Sequence, residues 1–449
     1  MSHAGAAMKL TLGPLALLAL SAALLHCSNA SMTPTDASAL LDGGTDTGQA
    51  TDAGDAADSQ LPALLWEYHK PNGSPNLRST MAISNNGSHV FTGGWFGGGK
   101  LFKIAGGDGT SVWEVDKPGS FGVAAAKSSD VLYSAWDRKE DNGTLVAFEV
   151  SQYSSASATP LWTYDGLAHG YVQHSIDSQG LMATSADGGV LAVAAITLKE
   201  NASTILFFRK GESQPYAGHA LPSTARQIRM SDDGAVLVVH YGSDVRRIDA
   251  KTATEVTTVS VGSGTDCLGV SADASVFVHG FLKLKAYKWN GVGYDSQWEY
   301  ALDGQSGAGA AAVADDNDAI IAAWDKSTTS SQEGAVTRFS LRQGNVPTWR
   351  YDLKPDASKT GQNAAWAAIS STGAWSAVSW WGTEHNTEPE VMVFRDEAPT
   401  APYFGIDLPG SGLAVGMTHD GRYLAAVGKG VHANQSGNGG SVVAAELHR

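Results

Sequence analysis

Ser231-Asp232-Asp233-Gly234, followed by Ala235-Val236-Leu237-Val238-Val239-His240, is a four-residue polar turn that opens an apolar strand. Asp in such a turn bonds forward to the backbone, and Gly accepts the positive φ that reverses the chain, so the segment forms the corner of a β-hairpin. The same unit recurs on both sides of it. It stands at Ser84-Asn85-Asn86-Gly87, Lys127-Ser128-Ser129-Asp130, Ser185-Ala186-Asp187-Gly188, Ser271-Ala272-Asp273-Ala274, Ala314-Asp315-Asp316-Asn317, Ser370-Ser371-Thr372-Gly373 and Thr418-His419-Asp420-Gly421. Successive turns are 40 to 58 residues apart, a period that suits repeats of four short strands.

An apolar inner strand precedes each turn, as in Thr80-Met81-Ala82-Ile83 or Ala364-Ala365-Trp366-Ala367-Ala368-Ile369, and its small residues suit a crowded axis. After the second strand comes a third with period-two alternation, as in Leu101-Phe102-Lys103-Ile104. A fourth strand carries its own signature: Leu65-Trp66-Glu67-Tyr68, Val112-Trp113-Glu114-Val115, Leu161-Trp162-Thr163-Tyr164, Gln297-Trp298-Glu299-Tyr300 and Thr348-Trp349-Arg350-Tyr351. Repeats three, four and seven lack the tryptophan. Residues two apart share one face of a strand, where large rings fill the wedge between neighbouring sheets. The first of these segments precedes every inner strand, while the last repeat ends on its third strand, residues 441–447. The sequence therefore predicts an all-β fold over residues 61–449, a monomeric eight-bladed β-propeller of four-stranded antiparallel blades. The N-terminal strand is expected to complete the last blade and close the ring.

Composition agrees with this class. The 449 residues include 52 Gly, 13 Trp and 13 Tyr, and only 17% are charged, as expected of many short strands and tight turns. A net charge of −15 repels phosphate backbones and argues against a nucleic-acid partner. Cys27 and Cys267 are the only cysteines, too few for a disulfide framework or a zinc site. Cys267, beside an inner strand, is expected to be a small buried hydrophobe.

Ahead of the repeats, Met8-Lys9 opens an apolar stretch over residues 10–25 that ends at Leu24-Leu25-His26-Cys27. This is the pattern of a signal peptide, too short for a membrane span. It resembles a bacterial lipoprotein signal, with His26 where that pattern usually has a small residue. The resemblance implies lipidation of Cys27, and Ser28 after it implies sorting to the outer membrane. Residues 28–60 carry six aspartates, no Lys or Arg and no aromatic residue, so they form an acidic disordered tether.

Together, the Ser-x-Asp-Gly turns and Trp-x-Tyr strands resemble the bacterial PQQ-like and WD40-like propeller superfamily, which includes exported repeat lipoproteins. Quinoprotein dehydrogenases within it use pyrroloquinoline quinone (PQQ), a calcium ion, an Asp base and an adjacent Cys pair; no two cysteines here are adjacent. The function expected is that of a non-catalytic binding or scaffolding module for an envelope protein or glycan, held at the membrane by its lipid. The alternative is an enzyme using the channel mouth, either a diverged quinoprotein oxidoreductase with PQQ and calcium or a carbohydrate-active hydrolase or lyase.

Candidate site residues come from the ends of the second strands, where an aromatic recurs: Trp95, Trp136 with Asp137, Trp324 with Asp325, and Trp380-Trp381. A ring of indoles with carboxylates beside it suits a carbohydrate or peptide platform. The same recurrence also suits packing of each blade against its neighbour. His174, in the loop after His169, is a further candidate for ligand contact.

Overall fold

The computed structural model describes residues 62–448 apart from segments 71–76, 95–97, 129, 141–144, 174–179, 198–201, 263–266, 303–305, 328–331, 355–362, 383–387, 398, 400 and 432–438. The expected signal peptide, Cys27 and the expected tether over residues 28–60 lie outside the described residues.

Eight antiparallel sheets form the blades of one propeller. Their inner strands are Leu77–Ile83, Ser120–Ala125, Met182–Thr184, Ala225–Met230, Cys267–Val270, Ser306–Val313, Ala364–Ile369 and Gly412–Met417. Seven sheets have four strands; the third has five, because Tyr171–Gln173 and Met182–Thr184 both pair with Val190–Thr197. The ring closes as expected: Ala63–Lys70 pairs with Gly440–Glu446, from Ala63 opposite Glu446 to Lys70 opposite Gly440. This joint spans nearly the whole propeller sequence and contains no covalent bond.

The turns explain their own recurrence. Ser185 Oγ donates to Asp187 Oδ1 at 2.6 Å, the same oxygen accepts the Gly189 N–H at 2.8 Å, and the Val190 N–H donates to Ser185 Oγ at 3.0 Å. Ser231 with Asp233, Ser271 with Asp273 and Thr418 with Asp420 repeat this set. The Ser185 and Ser231 hydroxyls, followed by the backbone donors, hold the Asp187 and Asp233 carboxyls below the usual carboxylate range. These aspartates are structural. The last turn residue needs positive φ, and blades five and six supply it from Ala274 (54°) and Asn317 (60°) rather than Gly. One register differs from the expectation: the Ala126 N–H bonds to the Val131 carbonyl as Ser84 does to His89, so the second turn starts at Ala126 and Lys127 is its second residue.

Successive turns are also bonded to each other around the axis. The N–H of Asn85 donates to the Lys127 carbonyl, Ser128 to Ala186, Ala186 to Asp232, Asp232 to Ala272, Asp316 to Ser371, and Ser371 to His419, at 2.7 to 3.2 Å. Six of the eight blade boundaries carry such a bond among the described residues. Asn317 Nδ2 to Asp273 Oδ2, 3.1 Å, links the turns of blades five and six instead.

The Trp-x-Tyr strands act between blades, as their spacing implies. Trp66 and Tyr68 of the last blade clasp Phe102 of the first; Trp162 and Tyr164 clasp Phe208, Trp298 and Tyr300 clasp Phe339, and Trp349 and Tyr351 clasp Phe394, always one blade on. Trp113 meets Tyr153 in the same way. The indole N–H of Trp66, Trp113 and Trp349 donates to the carbonyl two residues past the ring it covers: Ile104, Ser155 and Asp396. Each clasp buries two or three rings; the indole donor is satisfied for Trp66, Trp113, Trp162 and Trp349, whereas Trp298 Nε1 is buried without a hydrogen-bond partner among the described residues.

Candidate binding site

Trp136, Trp324 and Trp380 occupy one repeat position, at the loop end of the second strand, and all three are buried: 8%, 0% and 1% exposed. Trp324 donates its indole N–H to Thr337 Oγ1 at 2.7 Å and meets Tyr300 edge-on. Trp136 donates to the Pro118 carbonyl and lies under the Lys117 ammonium, 4.5 Å from the ring centroid. These rings pack toward the preceding blade, in the clusters with Phe91, Phe339 and Phe394. No open platform is formed by them. Trp381, one residue further and on the opposite face of the strand, is half-buried, with the Lys429 ammonium 5.7 Å from its centroid. Trp95 and His174 lie outside the described residues, and His169 stacks on Tyr164.

Asp137 is buried. Asp325 accepts the Ala364 N–H at 2.5 Å, tying blade six to the first residue of the next inner strand. Burial pushes its carboxyl up to about 7, against the lowering effect of that bond.

A histidine pair joins blades four and five. His240 and His279 sit on adjacent second strands with their Nε2 atoms 3.2 Å apart and the rings edge to face. Burial, then the Arg226 charge, lowers His240 to about 4; burial, then His240, Lys285 and Arg226, lowers His279 to about 3. Both rings are neutral at pH 7, one donating to the other. Since the unfolded chain takes up protons near pH 6.5, the pair stabilises the fold fully above that pH and less as pH falls toward 4. A loss of roughly 3 kcal/mol for each histidine, about 6 for the two, is expected between pH 7 and pH 4. Urea unfolding of His279→Gln beside the natural protein checks it: the variant should show the flatter pH dependence, and parallel curves would refute the assignment.

The central channel is a cavity of about 370 Å³ whose walls include Met81, Ile83, Met182, Met230, Val270 and Ile369. Its mouth on the turn face is rimmed by Lys127 paired with Asp232 and by His419 paired with Asp315 at 2.8 Å. Inside it stands Arg229. Two residues before the turn, the other seven blades carry Ala82, Ala124, Ala183, Gly269, Ala312, Ala368 and Gly416. The arginine thus projects from a ring of residues too small to obstruct it. Its guanidinium lies 4.6 Å over the Trp366 ring, an inner-strand residue three blades away, and Nη1 donates to its neighbour's carbonyl, Ile228 O, at 2.9 Å. A Cβ on Gly180 would stand 2.2 Å from Nη1 and 3.3 Å from the Trp366 ring, so the bare glycine makes the space. Burial lowers the guanidinium to about 10, with nearby Cys267 raising it, and it remains charged at neutral pH. No carboxylate pairs with it among the described residues.

No family model matches the chain, and no curated protein does. Among solved structures, the hydrazine synthase of Kuenenia stuttgartiensis is similar over 57% of this chain and 77% of its own, at 14% identity and a TM-score of 0.40. A likeness at that level carries nothing about ligand or activity.

Among the described residues, no three His, Cys, Asp or Glu side chains gather closely enough to hold a metal ion, so no step through calcium is derived. The channel arginine was not among the residues singled out from sequence. Comparing the eight inner strands position by position would have found it, as one Arg in a column of Ala and Gly.

Proposed function

We propose that this protein is an exported, lipid-anchored propeller acting as a non-catalytic binding or scaffolding module for a protein or glycan of the cell envelope. One observation carries this: the chain enters the propeller through the outermost strand of the last blade, at Ala63, on the rim of the turn face. The loop-bearing face lies at the opposite end of the blades from that entry point. Trp381 and Lys429 belong to that face and offer an aromatic surface with a cation beside it. Binding is favoured over catalysis because the strongly perturbed groups, His240, His279 and Asp325, already have partners in neighbouring blades.

Two measurements test the proposal together. The natural chain should partition with membranes and be released by Cys27→Ala. Affinity capture from detergent-solubilised membranes should enrich a partner or glycan that is lost with Trp381→Ala and Lys429→Ala combined. Soluble behaviour of both chains would overturn the anchor, and capture unaffected by the double substitution would overturn the assigned face.

A further inference from the structure

The mouth and the wall of the channel differ in kind. At the mouth, Lys127 faces Asp232 and His419 faces Asp315, so both side chains already have a carboxylate partner. Deeper in, Arg229 has one backbone acceptor and the π-face of Trp366, leaving four of its five N–H donors without a bond among the described residues. Arg229 is half-buried, its guanidinium reaching the open channel, so a ligand entering there can meet its remaining donors and its charge. The wall around it is mixed: Met81, Ile83, Val123, Met182, Val270 and Val415 supply aliphatic and thioether surface, beside the hydroxyls of Thr80 and Thr184.

We infer that the channel is a binding site for a small monocarboxylate with an apolar body, its carboxylate held on the guanidinium of Arg229 and its body against the aliphatic wall. A carboxylate matches the planar fork of a guanidinium whose face is already occupied by an indole, leaving only the edge to bind. A single positive charge neutralises a monoanion, whereas a phosphate dianion would keep one charge with no second cation beside Arg229, among the described residues, to meet it. A cavity of about 370 Å³ accommodates a ring or a short alkyl chain. The site goes beyond the envelope-binding role and does not depend on it, since it lies on the axis and not on the loop face.

The test uses the propeller with its tether, titrated with sodium benzoate and sodium hexanoate, with sodium chloride and inorganic phosphate at matched ionic strength as comparators. Either carboxylate at about a hundred times its Kd should raise Tm by roughly 2–5 °C. The shift should vanish in Arg229→Met, which removes the charge at similar volume and is expected to fold, because an apolar replacement of a buried charge is tolerated. Arg229→Lys keeps the charge but lacks the fork, and should weaken binding at least about tenfold. Near-UV circular dichroism confirms that each variant is folded. Equal shifts with chloride, a stronger response to phosphate, or a carboxylate effect that persists in Arg229→Met would each overturn the assignment, the first by indicating a nonspecific effect of anions.

Discussion

A chain beginning at Asn72, without the strand Ala63–Lys70, is expected not to form a stable propeller, whereas one beginning at Leu61 should be as stable as the full protein. The truncation removes the register from Ala63–Glu446 to Lys70–Gly440 and empties the clasp of Trp66 and Tyr68 on Phe102. Losing one buried tryptophan alone costs about 3–5 kcal/mol, and the bare edge of Gly440–Glu446 adds unmade hydrogen bonds. The sum approaches the whole stability of an ordinary domain, about 5–15 kcal/mol. Limited proteolysis and near-UV circular dichroism should show an open, labile chain. A synthetic peptide of residues 61–71 should restore the ring in part. Equal melting temperatures for the two truncations would show that the joint contributes little.

The second large effect is expected at Trp324. Replacing it with Ala should cost about 3–5 kcal/mol, seen as a lower urea midpoint with unchanged slope. The ring is fully enclosed, and its loss leaves both a cavity beside Tyr300 and an unpartnered Thr337 hydroxyl. Trp324→Phe keeps most of the volume but not the hydrogen bond, and should cost about 1–3 kcal/mol. A loss below 1 kcal/mol for Trp324→Ala would refute the packing role. Any weakening of a partner in that variant would follow from unfolding, unlike the effect of Trp381→Ala.

The fold was legible in the sequence because its signals are local and repeat. A turn such as Ser231-Asp232-Asp233-Gly234 holds itself by bonds between residues two to five apart, and its chemistry survives wherever those residue types recur. Closure was legible by elimination, since one strand stood before the first repeat and one was missing from the last. The candidate site was less so. A tryptophan at the loop end of a strand looks the same in sequence whether it faces a ligand or a neighbouring blade, and Trp136, Trp324 and Trp380 face blades. The partner rings, Phe102 or Phe339 in the next blade, follow from the twist of one sheet against another, which no single strand records. Arg229 escaped notice for the converse reason. Along the chain it is one arginine in an amphipathic strand, and only the seven small residues at the matching positions give it space.

The backbone bonds that run from turn to turn across six of the eight blade boundaries brace most of the mouth's circumference. A helix bundle or a two-domain cleft can widen by sliding its parts, but here spreading the blades at any of those six boundaries breaks a bond such as Ala186 to Asp232 or Ser371 to His419. Passage through this aperture is therefore set by rotamers and not by the scaffold. Lys127 and Asp232, or His419 and Asp315, swing on single side-chain torsions, on a timescale far shorter than that of domain motion. The propeller behaves as a rigid ring with a polar iris.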